Sequence, residues 1–278
     1  LWAWGDNGSG RLGDGTTLLR TTPVQLSSLA NVADMDADWG HSLAVRSDGT
    51  VWTWGHNAYG QLGNGTIDNG PPHPTPSQVP GLTSVVDVTT GDNFSAALRA
   101  DGTVWTWGNN SWGQLGDGTT TSRLTPGQVP GLTNVIQIEA DSSFMVALRA
   151  DGTVWGWGNN GAGQLGDGTT TSRGTPAQVP GLTGVQQLSA GSYFVMALRT
   201  DGTLWSWGWN PYGQLGDGTI TWRSSPVHIL SGVTAMGAGT LHAMATLADG
   251  SLWAWGLNEE GQLGMDSVHY TPTSIVLP

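Results

Sequence analysis

The motif Trp-x-Trp-Gly occurs six times in 278 residues, with its first indole at Trp2, Trp52, Trp105, Trp155, Trp205 and Trp253. The spacings are 50, 53, 50, 50 and 48 residues. After each copy comes Gly-Gln-Leu-Gly or its Arg variant, starting at Gly10, Gly60, Gly113, Gly163, Gly213 and Gly261. A period of this length constrains the fold more than any local propensity does. Each unit is too small to bury its own apolar face and must stack on its neighbour. The approximate units are 1–31, 32–84, 85–134, 135–184, 185–232 and 233–278, read as a single repeat domain over 1–278.

The glycine-rich stretch "GQLGDGT" (113–119) looks at first like a phosphate cradle. A phosphate loop is built once, where a strand feeds a helix N-terminus. Here the loop comes six times, no apolar period of 3.6 residues follows it, and the chain has no Lys to reach a phosphate. The stretch is a tight structural loop. Gly supplies positive φ, and the Asp at 14, 117, 167 and 217 accepts nearby backbone N–H groups.

Each unit reads as four short strands. In the third, "VVDVTTG" (85–91) is strand A, "FSAALRA" (94–100) strand B, "TVWTWG" (103–108) strand C and "TPGQVPG" (125–131) strand D. Asp101-Gly102 is a two-residue hairpin signal between B and C. The prolines of strand D suit an outer edge. Four strands in about 50 residues is the pattern of a propeller blade. The two indoles of strand C point to one side and are expected to wedge between blades, since packing positions are the ones that repeat. Twelve of the 16 Trp lie in this motif.

The units "HSLAVRSDGTVWTWGHNAYGQLGNGT" (41–66) to "HAMATLADGSLWAWGLNEEGQLG" (242–264) resemble repeats of the regulator of chromosome condensation family across essentially the whole chain. The resemblance implies an all-β fold, a seven-bladed β-propeller of four-stranded blades, and activity mostly by binding other proteins. In this sequence the strands give an N-terminal half blade (C and D only) and five complete blades, so the expectation is a fragment of the seven-bladed ring. Leu1 in place of Met fits that expectation. Nucleotide-exchange members of the family carry a wedge insertion, whereas the only insertion here is three residues near Asp68–Pro74. The ultraviolet-B photoreceptors of the family repeat Gly-Trp-Arg-His-Thr, of which only Trp222-Arg223 is present.

Composition narrows the partner. Nine Arg and no Lys stand against 21 acidic residues, for a net charge of −12. That balance argues against nucleic acid and anionic membrane, which reward basic surface. No apolar run is long enough for a membrane helix. The absence of Cys removes disulfides and thiolate metal sites. No metal site and no cofactor are expected. The acidic, lysine-free composition points to an extracellular or cell-surface protein.

Positions that differ between repeats are free for recognition. The A–B and C–D loops share one side of each blade, and there the repeats diverge. The candidate partner-binding residues are Trp39, Tyr59, Asp92, Trp112, Tyr193, Trp209, Tyr212, Trp222 and Glu260, since aromatics interspersed with acids compose binding hot spots. The regularly placed Arg residues, at Arg46, Arg99, Arg149 and Arg199 and at Arg20, Arg123, Arg173 and Arg223, read as structural partners of nearby Asp or carbonyl groups. His41 and His242 read as packing. The polar side of strand A, including Asp34, Asp36, Asp87 and Glu139, reads as lining a hydrated channel. The functional reading is a non-catalytic protein-binding module. The alternatives are a carbohydrate-binding lectin-like propeller and, below it, a glycan-active enzyme, which would need a carboxylate pair at glycosidase distance.

Overall fold

The computed structural model describes residues 1–275. Among these residues every regular element is a strand. The strands pair in chain order into one two-stranded sheet, Trp2–Gly5 with Arg20–Gln25, followed by five four-stranded sheets. This is the expected half blade and five complete blades. By internal contacts the chain gathers into two compact units, Leu1–Ser143 and Phe144–Pro278.

Within Leu1–Ser143 the third sheet shows the common plan. Strands A (Val85–Gly91), B (Phe94–Arg99), C (Val104–Gly108) and D (Arg123–Gln128) pair antiparallel in that order, and D is the outer edge. The B–C register sets Phe94 opposite Gly108 and Ala97 opposite Trp105. The B–C turn is one residue longer than the Asp-Gly signal suggests. The Arg99 N–H donates to the Thr103 carbonyl at 2.9 Å, and the Gly102 N–H donates to the Arg99 carbonyl at 2.9 Å, leaving three loop residues with Gly102 at φ 76°. This is the hairpin loop in which a left-handed glycine closes a turn. Asp101 accepts from the Thr103 N–H (3.1 Å) and hydroxyl (2.6 Å), and that hydroxyl in turn accepts from the Trp105 indole at 3.2 Å. Arg99 reaches Asp101 at 3.4 Å, and its guanidinium lies 5.8 Å from the centre of the Trp105 ring. Asp-Gly-Thr, the first Trp and the strand-B Arg therefore form one local network.

The two indoles of each motif are not equivalent, contrary to the expectation of a matched pair of wedges. The first is half-buried and serves the hairpin. The second, at Trp54, Trp107, Trp157, Trp207 and Trp255, is buried. Trp107 donates to the Gln61 carbonyl at 2.8 Å, Trp207 to the Gln164 carbonyl at 2.9 Å and Trp255 to the Gln214 carbonyl at 2.9 Å. Each of these indoles thus plugs the Gly-Gln-Leu-Gly loop of the preceding repeat. The glycine ending that loop makes room for it: a Cβ at Gly63 would stand 2.8 Å from the Trp107 Nε1, and one at Gly166 2.7 Å from the Trp207 Nε1. In the half blade the pattern breaks, with Trp2 and Trp4 56 and 60% exposed.

The polar side of strand A also departs from its expected role. In Leu1–Ser143 its side chains accept backbone N–H groups from the strand A of the next sheet. Val88 donates to Asp34 at 3.1 Å, Thr90 to Asp36 at 2.7 Å and Ile138 to Asp87 at 3.2 Å. In Phe144–Pro278, Ala238 donates to the Ser189 hydroxyl at 2.9 Å. An inner strand has one edge without a ladder partner, and buried N–H groups there need acceptors. These carboxylates supply them and do not merely line a wet surface. His41 is packed as expected. It is buried against the Ser95 hydroxyl at 2.8 Å, and burial holds its imidazole down at about 3.

Candidate functional site

The loops of Phe144–Pro278 carry the clearest departures from the repeat. The position after the motif glycine is Asn in two repeats (Asn109, Asn159) and Trp209 in the next. The last residue of the A–B loop is Asn93, Ser143 and then Tyr193. The residue before the strand-D arginine is Ser122, Ser172 and then Trp222. At the position occupied by Tyr59, Trp112 and Tyr212, the intervening repeat has Ala162. These substitutions converge. Tyr193, Trp209 and Trp222 face Asn159, Gly161 and Ala162 around a cavity of about 240 Å³. One small residue opens the space, and three large rings wall it.

The rings meet edge to face. Tyr193 lies 6.2 Å from Trp209 at 79°, and Tyr212 lies 5.8 Å from Trp209 at 85°. Aromatic rings favour this geometry because the positive edge of one meets the negative face of the other. Trp209 and Tyr193 are half-buried, and Trp222 is half exposed.

The backbone beneath them is held at several points. The Trp209 N–H donates to the Tyr193 carbonyl at 2.8 Å. That approach needs Gly208, whose φ is 107° and whose added Cβ would collide with the same carbonyl. Asn210 is buried and organises the C–D loop. Its Oδ1 accepts the Leu215 N–H at 3.0 Å, and its Nδ2 donates to Asp217 and to the carbonyls of Thr219 and Thr221 at 3.0 to 3.2 Å. Trp222 is fixed on both sides, by the carbonyl of Thr221 before it and by Arg223 after it, which pairs with Asp217 at 2.7 Å. Burial would raise the Asp217 carboxyl, but its bonds from Thr219 and Arg223 outweigh burial and hold it below the usual carboxylate range. Tyr193 sits at φ 60°, a left-handed conformation uncommon for a bulky residue. Strain of this kind persists where the surroundings over-determine it and gathers at binding sites.

The remaining candidates do not form a second cluster. In Leu1–Ser143, Trp39 is 77% exposed, and its N–H is turned to Asp38 at 2.7 Å. Tyr59 and Trp112 are exposed, and their N–H groups donate to the side chains of Gln61 and Gln114, each at 2.9 Å. Asp92 donates its N–H to the Ser142 carbonyl at 2.9 Å, and burial raises its carboxyl. No ring pairing joins Trp39, Tyr59 and Trp112 among the described residues. In Phe144–Pro278, Glu260 is exposed and donates its N–H to Gln262 at 2.9 Å, as its repeat equivalents do. A larger cavity of about 400 Å³ in Leu1–Ser143 is walled mainly by residues of the repeat pattern, such as Trp2, Trp4, Leu12 and Trp54. The regular Arg residues are structural: Arg20, Arg123, Arg173 and Arg223 pair with Asp14, Asp117, Asp167 and Asp217.

Sequence reasoning missed Asn159, Gly161 and Ala162 as lining residues. The signal for Ala162 was available, as a small residue in a column of mostly large ones. It also missed the Asn of each C–D loop, buried at Asn7, Asn57, Asn110, Asn160 and Asn210 and half-buried at Asn258, whose signal was its recurrence.

The sequence profile of the Regulator of chromosome condensation (RCC1) repeat matches residues 1–45, 48–98, 101–148, 151–198, 201–246 and 249–278. Among curated proteins, the chain is 35% identical over 126 residues to the human E3 ubiquitin-protein ligase HERC2, covering 44% of this chain and 2% of that protein. It is 31% identical over 120 residues to the mitochondrial RCC1 domain-containing protein RUG3 of Arabidopsis thaliana, covering 42% of this chain and 26% of that protein. The chain therefore spans a small part of these relatives. Among solved structures, human WBSCR16 superposes with a TM-score of 0.86 at 27% identity, over 100% of this chain and 76% of that one. Yeast RCC1 (Prp20), solved bound to Kap60, gives a TM-score of 0.86 at 24% identity, over 99% of this chain and 71% of that one. With the repeat signature covering nearly every residue and the blades built as that signature requires, the chain belongs to the regulator of chromosome condensation repeat family and folds as its β-propeller.

Proposed function

We propose that the chain is a non-catalytic protein-binding module that engages its partner through the loops bearing Tyr193, Trp209, Tyr212 and Trp222. The observation that carries this reading is the convergence of four departures from the repeat on one cavity with aromatic walls. A pocket of this kind, mostly apolar with a few polar groups and set on a fixed backbone, is what an interface anchor requires. No carboxylate, His or Arg lines it, so it lacks the acid and base groups that hydrolysis would use. The test is affinity capture from the native source with the immobilised chain. Trp209→Ala combined with Trp222→Ala is expected to lose the captured partner, while Tyr59→Ala retains it. Full retention by the double variant would remove the loops of Phe144–Pro278 from the interface.

A further inference from the structure

Resting on that reading, we propose that the cavity between Tyr193, Trp209 and Trp222 receives an arginine side chain from a basic segment of the partner. The first argument is the electrostatics of the walls. Three aromatic side chains wall one small space, no Arg or His lines it, and an aromatic face attracts a cation. The lining also carries the Tyr193 hydroxyl, whose oxygen can accept from an N–H donor, whereas the Asn159 Oδ1 already accepts from the Gly161 N–H at 2.8 Å and the Gln164 amide at 3.3 Å.

The second argument is complementarity of charge. The chain carries −12 net and no Lys, and its Arg side chains are engaged with Asp partners along the repeats. A basic segment is drawn to such a surface, and a neutral or acidic one is not.

The third argument is internal precedent. The chain itself sets a guanidinium over an indole in three successive repeats, with Arg46 over Trp52, Arg99 over Trp105 and Arg149 over Trp155, at 5.6 to 5.8 Å. Arg suits this role better than Lys because the guanidinium is planar, weakly hydrated and able to stack. A sugar fits the walls less well. Its ring of hydroxyls needs several directed acceptors, and no carboxylate lines the cavity.

Tryptophan fluorescence titration with three synthetic peptides tests the proposal: a Gly-Arg repeat, a Gly-Lys repeat of equal charge and a Gly-citrulline repeat. The intact chain is expected to bind the Arg peptide about 5- to 30-fold more tightly than the citrulline peptide, and more tightly than the Lys peptide. In Trp209→Ala and in Trp222→Ala the Arg-over-Lys preference is expected to vanish, leaving the charge attraction common to both peptides. The control Tyr59→Ala is expected to keep the preference. Equal affinity for the Arg and Lys peptides in the intact chain overturns the proposal, as does a preference that survives both Trp variants. A glycan-array signal that the Trp variants abolish, without any Arg preference, overturns it in favour of sugar stacking. If the Arg preference is absent but the Trp variants still lose the captured partner, the interface stands and only its chemistry is wrong. If capture and preference are both indifferent to the variants, both readings fail.

Discussion

Trp207 and Trp209 lie two residues apart at the end of one strand and behave as different kinds of residue. Trp207 is buried, and its indole donates to the Gln164 carbonyl of the preceding repeat at 2.9 Å. Trp209 is half-buried, touches Tyr193 and Tyr212 by its edges or faces, and borders an open cavity. What separates them is recurrence. Trp207 has a counterpart in every repeat and Trp209 has none. In a stacked repeat each unit meets the same neighbour, so a packing residue must recur, and a residue that does not recur is under no such demand.

If that distinction holds, Trp207→Ala gives the largest loss of stability. It removes a buried ring and leaves the Gln164 carbonyl without its donor, and about 3–5 kcal/mol is expected from urea unfolding. Trp209→Ala in the same assay is expected to lose less, about 1–3 kcal/mol, the scale of two edge-to-face contacts. Equal losses would dissolve the comparison.

The glycine that receives Trp207 offers a sharper version. Gly166 has φ 69°, and a Cβ there would stand 2.7 Å from the Trp207 Nε1. Gly181 has φ 72° and open space where its Cβ would go. Both Ala substitutions carry the left-handed penalty of about 1–2 kcal/mol, and Gly166→Ala adds the collision. An unfolding free energy lower for Gly166→Ala than for Gly181→Ala measures how tightly the indole is held. No difference would mean that the loop yields.

The acids of Leu1–Ser143 divide in a similar way between fixed and free groups, and pH separates them. Asp87 accepts the Ile138 N–H at 3.2 Å. Burial pushes its carboxyl up to about 7, against the pull of that N–H and with help from the charges of Asp34 and Asp36. Because this folded value lies above the ordinary 3.8, the group's contribution to stability is full below about pH 4 and is lost as pH rises through about 7. Asp87→Asn keeps an oxygen for Ile138 and removes the charge. It is expected to stabilise the protein at pH 8 by an amount on the order of 1 kcal/mol and to have little effect at pH 4. A thermal-melt series across that range checks it, and an effect of the same size at both ends would mean that the carboxyl does not titrate there.

How much of this was legible in the sequence follows from the same rule. Recurring features could be read: the strand order, the outer proline-bearing strand, and the pairing of Arg223 with Asp217 and its equivalents. The turn at Asp101-Gly102 was placed correctly but one residue short, because Asp-Gly fits a two-residue loop as readily as a longer loop closed by a left-handed glycine. The unequal roles of Trp205 and Trp207 were not legible. Alternation puts both on one side of the strand but says nothing about which reaches the loop of the preceding repeat and which the hairpin. Tyr193, Trp209 and Trp222 each stood out against their columns. Their convergence on Ala162 did not, since the four lie in three loops up to 60 residues apart and no periodicity links them.

Tyr193→Asn is where the smallest change in stability is expected, and it tests the comparison most finely. The equivalent residue in the third unit is Asn93, although its backbone is not left-handed as that of Tyr193 is. Two terms oppose each other. Losing the ring contact with Trp209 costs about 0.5–1.5 kcal/mol. Replacing a bulky residue at φ 60° with Asn, which accepts the left-handed region, returns part of the roughly 1–2 kcal/mol held there. The sum lies within about 1 kcal/mol of zero, while partner capture is expected to fall as it does for Trp209→Ala. A residue whose replacement leaves the fold unchanged and removes binding is held in its strained backbone for recognition. A loss of more than about 2 kcal/mol on urea unfolding would instead make Tyr193 a packing residue, and the contrast between Trp207 and Trp209 would then be one of degree.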